Sequence, residues 1–280
     1  MQTPSPSSRS IFHVDPAFQP AMREIGLDAD AVFHHPQIKV WRSITERENA
    51  TLDAMLADGT RVRWHVKRYR PTNDATSPAR REVDGIRLLE EAQIPTVRIV
   101  GFSDVPGGRS FVITEDLAGF TAADKLIESG AATFETLCGA TADLAGMLHD
   151  RALHHRDLYL CHFFAKVEEG KVELRLIDAG RVARLPRWPL RGRWIVKDLS
   201  QFWYSAQQLG VSEPQRRAWL ERYARRRGLP SAEPLRHAIE RKAAWIAKHD
   251  AKARAKQPGR NVSIPTGNTE STQSTQSTSS

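Results

Sequence analysis

The chain has 280 residues, of which 40% are hydrophobic and 26% charged, the balance of a globular protein with one large or two medium domains. Its two cysteines give no disulfide framework, and no apolar run approaches the roughly 18 residues of a membrane span. The N-terminal stretch MQTPSPSSRSIFHVDP lacks the apolar region of a secretion signal. These features exclude a disulfide-stapled or membrane-spanning fold, and we expect a cytoplasmic protein.

Both ends of the chain have compositions that favour disorder. The first dozen residues are rich in Ser and Pro, and the last twenty, NVSIPTGNTESTQSTQSTSS, are low-complexity Ser, Thr and Gln. Such segments bury too little apolar surface to offset the entropy of folding. We therefore predict a partly disordered N-terminal extension over residues 1–35 and a disordered Ser/Thr/Gln-rich tail over residues 259–280.

A strand-rich lobe with one helix is predicted over residues 36–117. The stretches VWRSITER, ATLDAML and TRVRWHVKRY favour strands, and the Asp58-Gly59 pair between the last two is a strong hairpin signal. SPARREVDGIRLLEEAQIP has the pattern of a helix, with Val83, Ile86 and Leu89 on one face. Two further strands, VRIVGF and RSFVITED, are predicted after it.

Residues 118–258 are predicted to form a helical lobe with a short hairpin. Apolar residues recur at helical spacing over 134–148, which predicts a long amphipathic helix leading into the polar loop HHRDLYLCHFF at 154–164. VELRLIDAG has the pattern of a strand that ends in a turn, and the chain beyond Lys197 is helical in character. The sequence therefore predicts an α+β protein of two lobes.

Two aspartates occupy positions suited to phosphoryl transfer. Asp157 lies in the polar loop after a helix, and Asp178, in LIDAG, ends an apolar strand about twenty residues later. Transfer from ATP requires one carboxylate to orient the attacking hydroxyl and accept its proton, and a second to hold Mg²⁺ against the phosphates. Each motif is weak evidence alone, but their order and spacing together favour this chemistry.

Lys67 and Glu82 are candidates for the nucleotide-binding side of such a site. Lys67 lies in the predicted strand WHVKRY, from which it can reach the α- and β-phosphates, and Glu82 on the next helix can pair with it. A solvated surface lysine is the competing interpretation. The segment SFVITEDLAG fits the connection between lobes, where backbone groups from Glu115 to Leu117 can bind an adenine edge; an edge strand with a polar exit is the alternative.

These motifs carry a family resemblance that spans roughly residues 38–230. VKRY, EVDGIRLLEEAQIPT, SFVITEDL, MLHDRALHHRDLYLCHFF, LRLIDAGRV and RWIVKDLSQFWYSA resemble the lipopolysaccharide-core kinases of the Kdo/WaaP family, which phosphorylate heptose or Kdo of the inner core. HRDLYLCHF is highly specific, because this family has histidine where ordinary protein kinases have asparagine. The resemblance implies a protein-kinase-like two-lobe fold and the use of ATP and Mg²⁺.

The same resemblance assigns roles to five residues. It implies that Asp157 is the catalytic base, that Asp178 binds Mg²⁺, and that Lys67 contacts the phosphates with Glu82 as its partner. His162 occupies the second metal-proximal position. A neutral imidazole is a poor ligand for Mg²⁺, which prefers oxygen, so we expect His162 to hydrogen-bond a phosphate oxygen or to orient Asp157.

Three more residues are expected to support the catalytic loop. Asp198, in VKDL, resembles the buried aspartate that braces this loop from the next helix, although a carboxylate near a helix N-terminus has the same pattern. His155 and Arg156 are expected to hold the loop against the metal-binding turn. His154 is expected to be solvated or to act as a cap.

The phosphate side departs from the protein-kinase pattern. RSITERENAT contains no glycine, so Arg42, Arg47 or backbone amides are expected to cradle the phosphates. Ala-Gly follows Asp178 where the family more often has bulkier residues. No activation segment of protein-kinase type lies between Asp178 and Asp198, which argues against a protein substrate.

The C-terminal third is strongly basic. Residues 214–260 hold 14 Lys/Arg against 4 Asp/Glu, within a net charge of +8 for the whole chain. Such a region suits an anionic membrane surface, an acidic substrate or nucleic acid, or forms solvated helix faces. No nucleic-acid motif is present, so nucleic acid is not the expected partner. With the family resemblance, we expect peripheral binding at the inner face of the bacterial inner membrane.

Particular segments are expected to make these contacts. The loop RLPRWPLRGRW at 184–194 follows the metal aspartate and is expected to meet the acceptor sugar or core phosphates. Three basic clusters with aromatic residues between them are expected to approach the membrane. The clusters are Arg216-Arg217, Arg225-Arg226-Arg227 and Arg241-Lys242, and the aromatic residues are Trp219, Tyr223 and Trp245.

Two other functions fit the same residues. The first is a small-molecule phosphotransferase similar to the aminoglycoside kinases, which share the two-lobe plan but usually keep asparagine near the position of His162. The second is a catalytically inactive pseudokinase that acts as a scaffold at the membrane surface, suggested by the glycine-free phosphate turn. The filled set of charged catalytic positions favours the kinase.

Overall fold

The computed structural model describes residues 12–105 and 107–256. The predicted disorder of the first eleven residues and of the tail over 259–280 lies outside the described residues. Within the described ranges, an antiparallel sheet with a helix against it is followed by a mainly helical region. The predicted α+β architecture of a strand-rich lobe and a helical lobe is confirmed.

The first lobe is built on an antiparallel sheet. Its strands are Phe12–Val14 (β1), Ile38–Ser43 (β2), Arg47–Met55 (β3), Arg61–Tyr69 (β4), Ile99–Ser103 (β5) and Ser110–Glu115 (β6), in the spatial order β1-β5-β6-β4-β3-β2. The turn at Asp58-Gly59 joins β3 to β4, as predicted, with Gly59 in the left-handed region at φ 84°. Lys67 therefore lies on a strand that is paired on both sides.

Residues 12–35, the described part of the predicted N-terminal extension, pack on this sheet. Strand β1 pairs with β5, and the Phe12 ring lies edge-on to Phe111 with ring centroids 5.2 Å apart. The short helix Gln19–Ile25 (α1) buries Met22 in the same apolar cluster. The segment thus covers one face of the sheet and helps to bury its core.

The long helix of the first lobe, Pro78–Glu91 (α2), begins as its sequence predicts. The Ser77 hydroxyl caps it by accepting a hydrogen bond from the Arg80 amide at 3.0 Å, and proline occupies the first turn. The three predicted apolar positions are fully buried. The face that packs on the sheet also carries Glu82 inward, so the helix positions a carboxylate at the boundary with the second lobe.

The second lobe surrounds the larger core cluster. Its helices are Ala123–Glu128 (α3), Phe134–Asp150 (α4), Arg191–Gln208 (α5), Glu213–Arg226 (α6) and Glu233–Lys256 (α7). Its short strands are Thr121–Ala122 (β7), Leu153–His154 (β8), Phe163–Glu168 (β9), Lys171–Leu176 (β10) and Ala183–Arg184 (β11), and β9 and β10 form the predicted hairpin. Among the described residues, no helix is both long and apolar enough to cross a bilayer.

Two aromatic side chains that we expected on the basic surface lie in this core instead. Trp219 and Tyr223 are fully buried, and the Trp219 ring stacks on Phe202 with centroids 3.9 Å apart. The reason is the amphipathic period of α6, which turns these rings inward while its arginines point outward. The prediction that these two residues face a membrane is therefore wrong.

Candidate active site

A buried charge cluster joins the two lobes. The Nζ of Lys67 lies 2.7 Å from Glu82 Oε1 and 3.0 Å from Asp178 Oδ1. Burial disfavours the ammonium, but the carboxylates of Asp178 and Glu82 outweigh it and raise the pKa of Lys67. Burial likewise opposes ionisation of Asp178, yet Lys67, His162 and Arg47 hold the pKa of its carboxyl well below the usual range. The sequence-predicted lysine, glutamate and metal aspartate are thus in direct contact.

The closeness of α2 to the Asp178 turn depends on two glycines. A Cβ on Gly85 would lie 1.9 Å from the carbonyl oxygen of Ala179, and one on Gly180 would lie 2.9 Å from Glu82 Oε2. Side chains at either position would push the helix away from the turn. The Ala-Gly pair after Asp178 therefore has a structural reason: it lets the glutamate of α2 reach the lysine.

Of the two arginines predicted to bind phosphate, Arg42 and Arg47, the described contacts place Arg47 at this cluster. Its Nη1 lies 3.8 Å from Asp178 Oδ1, and its buried Nε has no hydrogen-bond partner within the described part of the chain. Burial disfavours the guanidinium charge, but Asp178, Tyr69 and Glu82 outweigh it and raise the pKa of Arg47. A buried, charged donor with spare capacity suits an anionic ligand. Arg42 makes no described contact with the cluster.

The predicted catalytic loop, residues 154–162, is held by the carboxylate of Asp198 on α5. One carboxylate oxygen accepts a hydrogen bond from the His155 amide at 2.7 Å, and the other accepts one from the Arg156 amide at 2.8 Å. His149 lies 3.3 Å from the same carboxylate. Although burial raises the pKa of Asp198, the contacts with His149 and the loop amides lower it overall. Asp198 sits well inside α5, so the alternative of a carboxylate at the helix N-terminus is wrong.

Two residues of the same helix face extend this support. The Gln201 side-chain carbonyl accepts a hydrogen bond from the Leu158 amide at 3.1 Å, and its amide group donates to the Arg156 carbonyl at 2.9 Å. The Ser205 hydroxyl accepts a hydrogen bond from the Leu160 amide at 3.0 Å. Asp198, Gln201 and Ser205 follow one another at intervals of three and four residues, so one stripe of α5 holds the loop backbone. Gln201 and Ser205 were not predicted from the sequence, although polar residues on an otherwise apolar face of a helix indicate buried hydrogen bonds.

The Asp157 side chain is half-buried and is paired with an arginine that was not predicted from the sequence. The Nη1 of Arg181 lies 3.1 Å from Asp157 Oδ1 and 3.3 Å from Oδ2. The Gln201 amide group is 3.4 Å from the first of these oxygens. Arg181 follows Asp178 by three residues, so the turn that carries Asp178 also places a cation beside the predicted base.

His162 connects the two aspartates. Its Nδ1–H donates to the Asp157 main-chain carbonyl at 2.6 Å, and its Nε2 lies 3.5 Å from Asp178 Oδ2. Burial disfavours a charged imidazole, but the adjacent Cys161 sulfur, the Asp178 carboxylate and the Asp157 carbonyl outweigh it and raise the pKa of His162. The histidine thus contacts the Asp157 backbone, and its other ring nitrogen faces the carboxylate of Asp178.

The two histidines at the start of the loop are both buried. His155 Nε2–H donates to the Ile177 carbonyl at 3.0 Å, which ties the loop to the residue before Asp178. His154 is only 3% exposed and its ring lies 4.8 Å from that of Trp194, so the prediction of a solvated or capping residue is wrong. Its position in the short strand β8, paired with β11, is what buries it.

Two residues in the site have backbone angles that are unusual for residues other than glycine. Arg156 has φ 70° and Asp178 has φ 60°, both in the left-handed region. Such conformations cost free energy and persist where the surrounding structure fixes them, frequently at functional sites. Here Asp198 fixes Arg156, and the Lys67 and Arg47 contacts fix Asp178.

The connection between lobes begins at Glu115. Its amide donates to the Arg98 carbonyl at 3.0 Å, and the Leu117 carbonyl accepts a hydrogen bond from the Phe120 amide at 2.9 Å. The segment is thus anchored at the end of β6. The adenine-binding role of Glu115 and Leu117 stays a prediction.

The donor set around Asp178 fits a magnesium ion. Mg²⁺ in phosphoryl-transfer sites is held by one or two carboxylates together with phosphate oxygens and waters. Asp178 supplies a carboxylate at the cluster of cations, and the described residues contain no group of three or more His, Cys, Asp or Glu side chains that forms a complete metal site. The ion would therefore be bound jointly by Asp178 and the nucleotide.

A lysine–glutamate pair, a carboxylate at the phosphate side and a second carboxylate on a braced loop define a kinase, an enzyme that transfers phosphoryl groups from ATP. The sequence profile described as "Lipopolysaccharide kinase (Kdo/WaaP) family" matches residues 37–223, and the chain belongs to this family.

Two characterised relatives and one solved structure extend the comparison. Lipopolysaccharide core heptose(I) kinase WaaP of Pseudomonas aeruginosa is 29% identical over 189 residues, 62% of this chain and 67% of the relative. The WaaP protein of Escherichia coli strain K12 is 27% identical over 172 residues, 55% of this chain and 63% of the relative. The crystal structure of the BubR1 kinase domain aligns with a TM-score of 0.47 and 16% identity, covering 80% of this chain and 85% of that one.

Proposed function

We propose that the protein transfers the γ-phosphoryl group of ATP to a sugar hydroxyl, of heptose or Kdo, in the inner core of lipopolysaccharide. The observation that carries the proposal is the contact of Lys67 with both Glu82 and Asp178, beside the loop that presents Asp157. Membership of the family and the heptose(I) kinase names of the relatives support the choice of acceptor.

The residues divide the reaction between them. Lys67 and Arg47 would bind phosphate oxygens, and Asp178 would hold Mg²⁺, which when bound would supply positive charge to the phosphates. Asp157 accepts the proton of the acceptor hydroxyl as its oxygen bonds to the γ-phosphorus, and the bond from that phosphorus to the β–γ bridging oxygen breaks. ADP then leaves with the bridging oxygen. His162 keeps the Asp157 backbone at a fixed distance from Asp178.

Arg181 is proposed to take part in the same step. Its guanidinium neutralises Asp157 when no acceptor is bound. When the hydroxyl binds to Asp157, the guanidinium becomes available to the transferring phosphoryl group. An arginine suits this exchange because its planar fork binds carboxylate and phosphate oxygens equally well.

The proposed setting is the inner face of the inner membrane, where the acceptor is anchored by its lipid. The protein would be cytoplasmic and bound peripherally. Backbone groups of Glu115 and Leu117 would bind adenine. The loop at 184–194 would contact core phosphates through its arginines, which carry the charge that an anionic acceptor requires.

Transfer of label from γ-labelled ATP to purified core acceptors tests the proposal. Wild-type protein should label the acceptor, and Asp157→Asn should lower the rate by about a thousandfold. Asp84→Asn, on an exposed part of α2, is the matched control and should keep the wild-type rate. Wild-type labelling of an aminoglycoside but not of core acceptors would replace this function with the small-molecule alternative. Lack of Mg-ATP binding in calorimetry at millimolar nucleotide would favour the scaffold.

A further inference from the structure

The loop that leads into α5 exposes apolar side chains at its tip. We call residues 184–193, this loop together with the first turn of α5, the docking loop. Trp188 is 89% exposed and Leu190 is 52% exposed, and Trp188 has the highest exposure of the large hydrophobic residues in the described part of the chain. An exposed tryptophan next to an exposed leucine is costly in water and marks a surface that meets a partner.

All charged residues of the docking loop are arginines. It holds Arg184, Arg187, Arg191 and Arg193, and the stretch RLPRWPLRGRW contains no acidic residue. Among the described residues, Arg184 lies 3.6 Å from Glu91, whereas Arg187, Arg191 and Arg193 form no ion pair with an acidic side chain. Three arginines without an acidic partner, beside an apolar tip, are therefore complementary to an anionic partner with an apolar interior.

A second exposed tryptophan extends this surface onto α7. Trp245 is 56% exposed, and the Nζ of Lys242 lies 3.6 Å from the centre of its ring. The docking loop runs into α5, and α5 packs along α7. Burial, together with the charge of Arg193 in the first turn of α5, lowers the pKa of Lys242. The exposed Trp245 and Lys242 therefore lie on the helix that packs against α5, next to the end of the docking loop.

The same surface adjoins the catalytic loop. Trp194 of α5 directly follows the docking loop, and its ring centre lies 4.7 Å from the guanidinium of Arg156 and 5.3 Å from the ammonium of Lys197. Arg156 directly precedes Asp157. A partner bound to the docking loop would therefore lie on the acceptor side of the predicted base.

We propose that Trp188, Leu190 and Trp245 enter the headgroup region of an anionic lipid bilayer, with the docking-loop arginines and Lys242 against lipid phosphates. This inference rests on the proposed function for its lipid-anchored acceptor. Tryptophan and leucine flanked by cations are typical of segments that lie in the membrane interface. Each basic residue near an anionic surface adds to the affinity, and salt weakens it. The docking loop would hold Asp157 where the sugars emerge from the membrane.

Co-sedimentation with lipid vesicles tests this surface without nucleotide or acceptor. Wild-type protein should bind anionic vesicles, made of phosphatidylcholine with about 30% phosphatidylglycerol, much more strongly than it binds vesicles of pure phosphatidylcholine. The double variant Trp188→Ala/Leu190→Ala should bind about tenfold more weakly. Trp41→Ala/Met55→Ala, which truncates exposed apolar residues of the first lobe, is the matched control and should bind like wild type.

Two charge-reversal variants distinguish the contribution of this surface to vesicle binding from that of the other basic clusters. Arg187→Glu/Arg193→Glu should lose at least about tenfold in vesicle binding, whereas Arg217→Glu/Arg225→Glu on α6 should lose much less. Melting temperatures would establish that each variant is folded. Equal losses from both charge pairs, or wild-type binding by Trp188→Ala/Leu190→Ala, would overturn the proposal. So would equal binding to the two kinds of vesicle, or binding of a protein partner to this surface without binding to lipid.

The outcome can be separated from that of the proposed function. The same wild-type preparation is assayed for transfer from labelled ATP to purified core acceptor in the absence of vesicles. Transfer without vesicle binding would reject the docking surface and keep the kinase assignment. Vesicle binding that requires Trp188 and Leu190, but without transfer to any core acceptor, would support the docking surface and reject the assignment.

Discussion

The catalytic loop and the docking loop lie next to each other, but charged groups are paired with partners in the first and mostly unpaired in the second. In the catalytic loop, the amides of His155 and Arg156 donate to Asp198 of α5, and the Asp157 carboxylate pairs with the guanidinium of Arg181. In the docking loop, three of the four arginines form no ion pair with a described acidic side chain, and they lie around exposed apolar side chains. Paired charges fix the geometry that chemistry requires, whereas charges of one sign attract a partner from outside. The difference predicts that variants of the first region change rate and stability, and variants of the second change binding.

Replacing Asp178 should give the largest effect. Asp178→Asn leaves Lys67 and Arg47 without the anion that compensates them and removes the proposed Mg²⁺ ligand. We expect phosphoryl transfer to fall by at least about a thousandfold. The rate of transfer from labelled ATP, measured beside Asp84→Asn, checks this. A rate within tenfold of wild type would remove Asp178 from the site.

Much of the site was predictable because its motifs are local. Lys67 and Glu82 were predicted on a strand and on the helix that follows it, and Asp178 after a strand of the other lobe; the structure brings all three into contact. It also found Asp198 through its motif. Arg181 was not found, because its role depends on the fold of the turn that follows Asp178, and no short-range pattern shows which charge it meets.

The wrong predictions have physical reasons as well. His154 stands in a polar sequence, yet the β8–β11 pair and Trp194 cover it. Trp219 and Tyr223 lie among arginines in the sequence, but the helical period separates them from those arginines in space. In both cases the neighbours along the chain suggested a polar environment that the fold does not provide.

The buried histidines should make stability depend on pH below neutrality. Burial, as the largest effect, lowers the pKa of His154 to about 4 and also lowers the pKa of His155. As the pH falls through about 6.5, these imidazoles therefore bind protons in the unfolded chain but stay neutral in the folded chain. Stability is fully present above pH 6.5 and falls as the pH drops toward 4, by about 3 kcal/mol from His154.

Urea unfolding at a series of pH values tests this dependence. His154→Phe keeps an aromatic ring beside Trp194 but cannot titrate, so its stability should fall by about 3 kcal/mol less than that of wild type between pH 6.5 and 4. The exposed His237→Phe is the control and should follow the wild-type curve. Identical slopes for His154→Phe and wild type would mean that His154 does not titrate as described.

Separating α2 from the Asp178 turn should have the next largest effect. Gly85→Ala places a methyl group against the Ala179 carbonyl, so we expect a loss of about 2 kcal/mol in stability and a lower transfer rate, because Glu82 moves from Lys67. Gly139→Ala in α4 meets open space and should instead stabilise the protein by up to about 1 kcal/mol. Thermal unfolding and the transfer assay measure both. Equal effects at the two positions would contradict the close contact.

The smallest effect is expected at Arg181. Its side chain is half exposed, so solvent screens its pairing with Asp157. Arg181→Ala should lower kcat by about tenfold with little change in the KM for ATP, and Arg181→Lys should restore part of the rate. A change in KM alone would indicate a binding role and would contradict a contact with the transferring phosphoryl group.

The central claim is that Asp157 directs phosphoryl transfer to a sugar of the lipopolysaccharide inner core. Mass spectrometry of core oligosaccharide, from cells that lack the gene and are complemented with wild type or with Asp157→Asn, tests it most directly. We predict that a phosphate is missing without the gene, returns with the wild-type protein and does not return with Asp157→Asn. Core of the same mass in all three strains would contradict the claim.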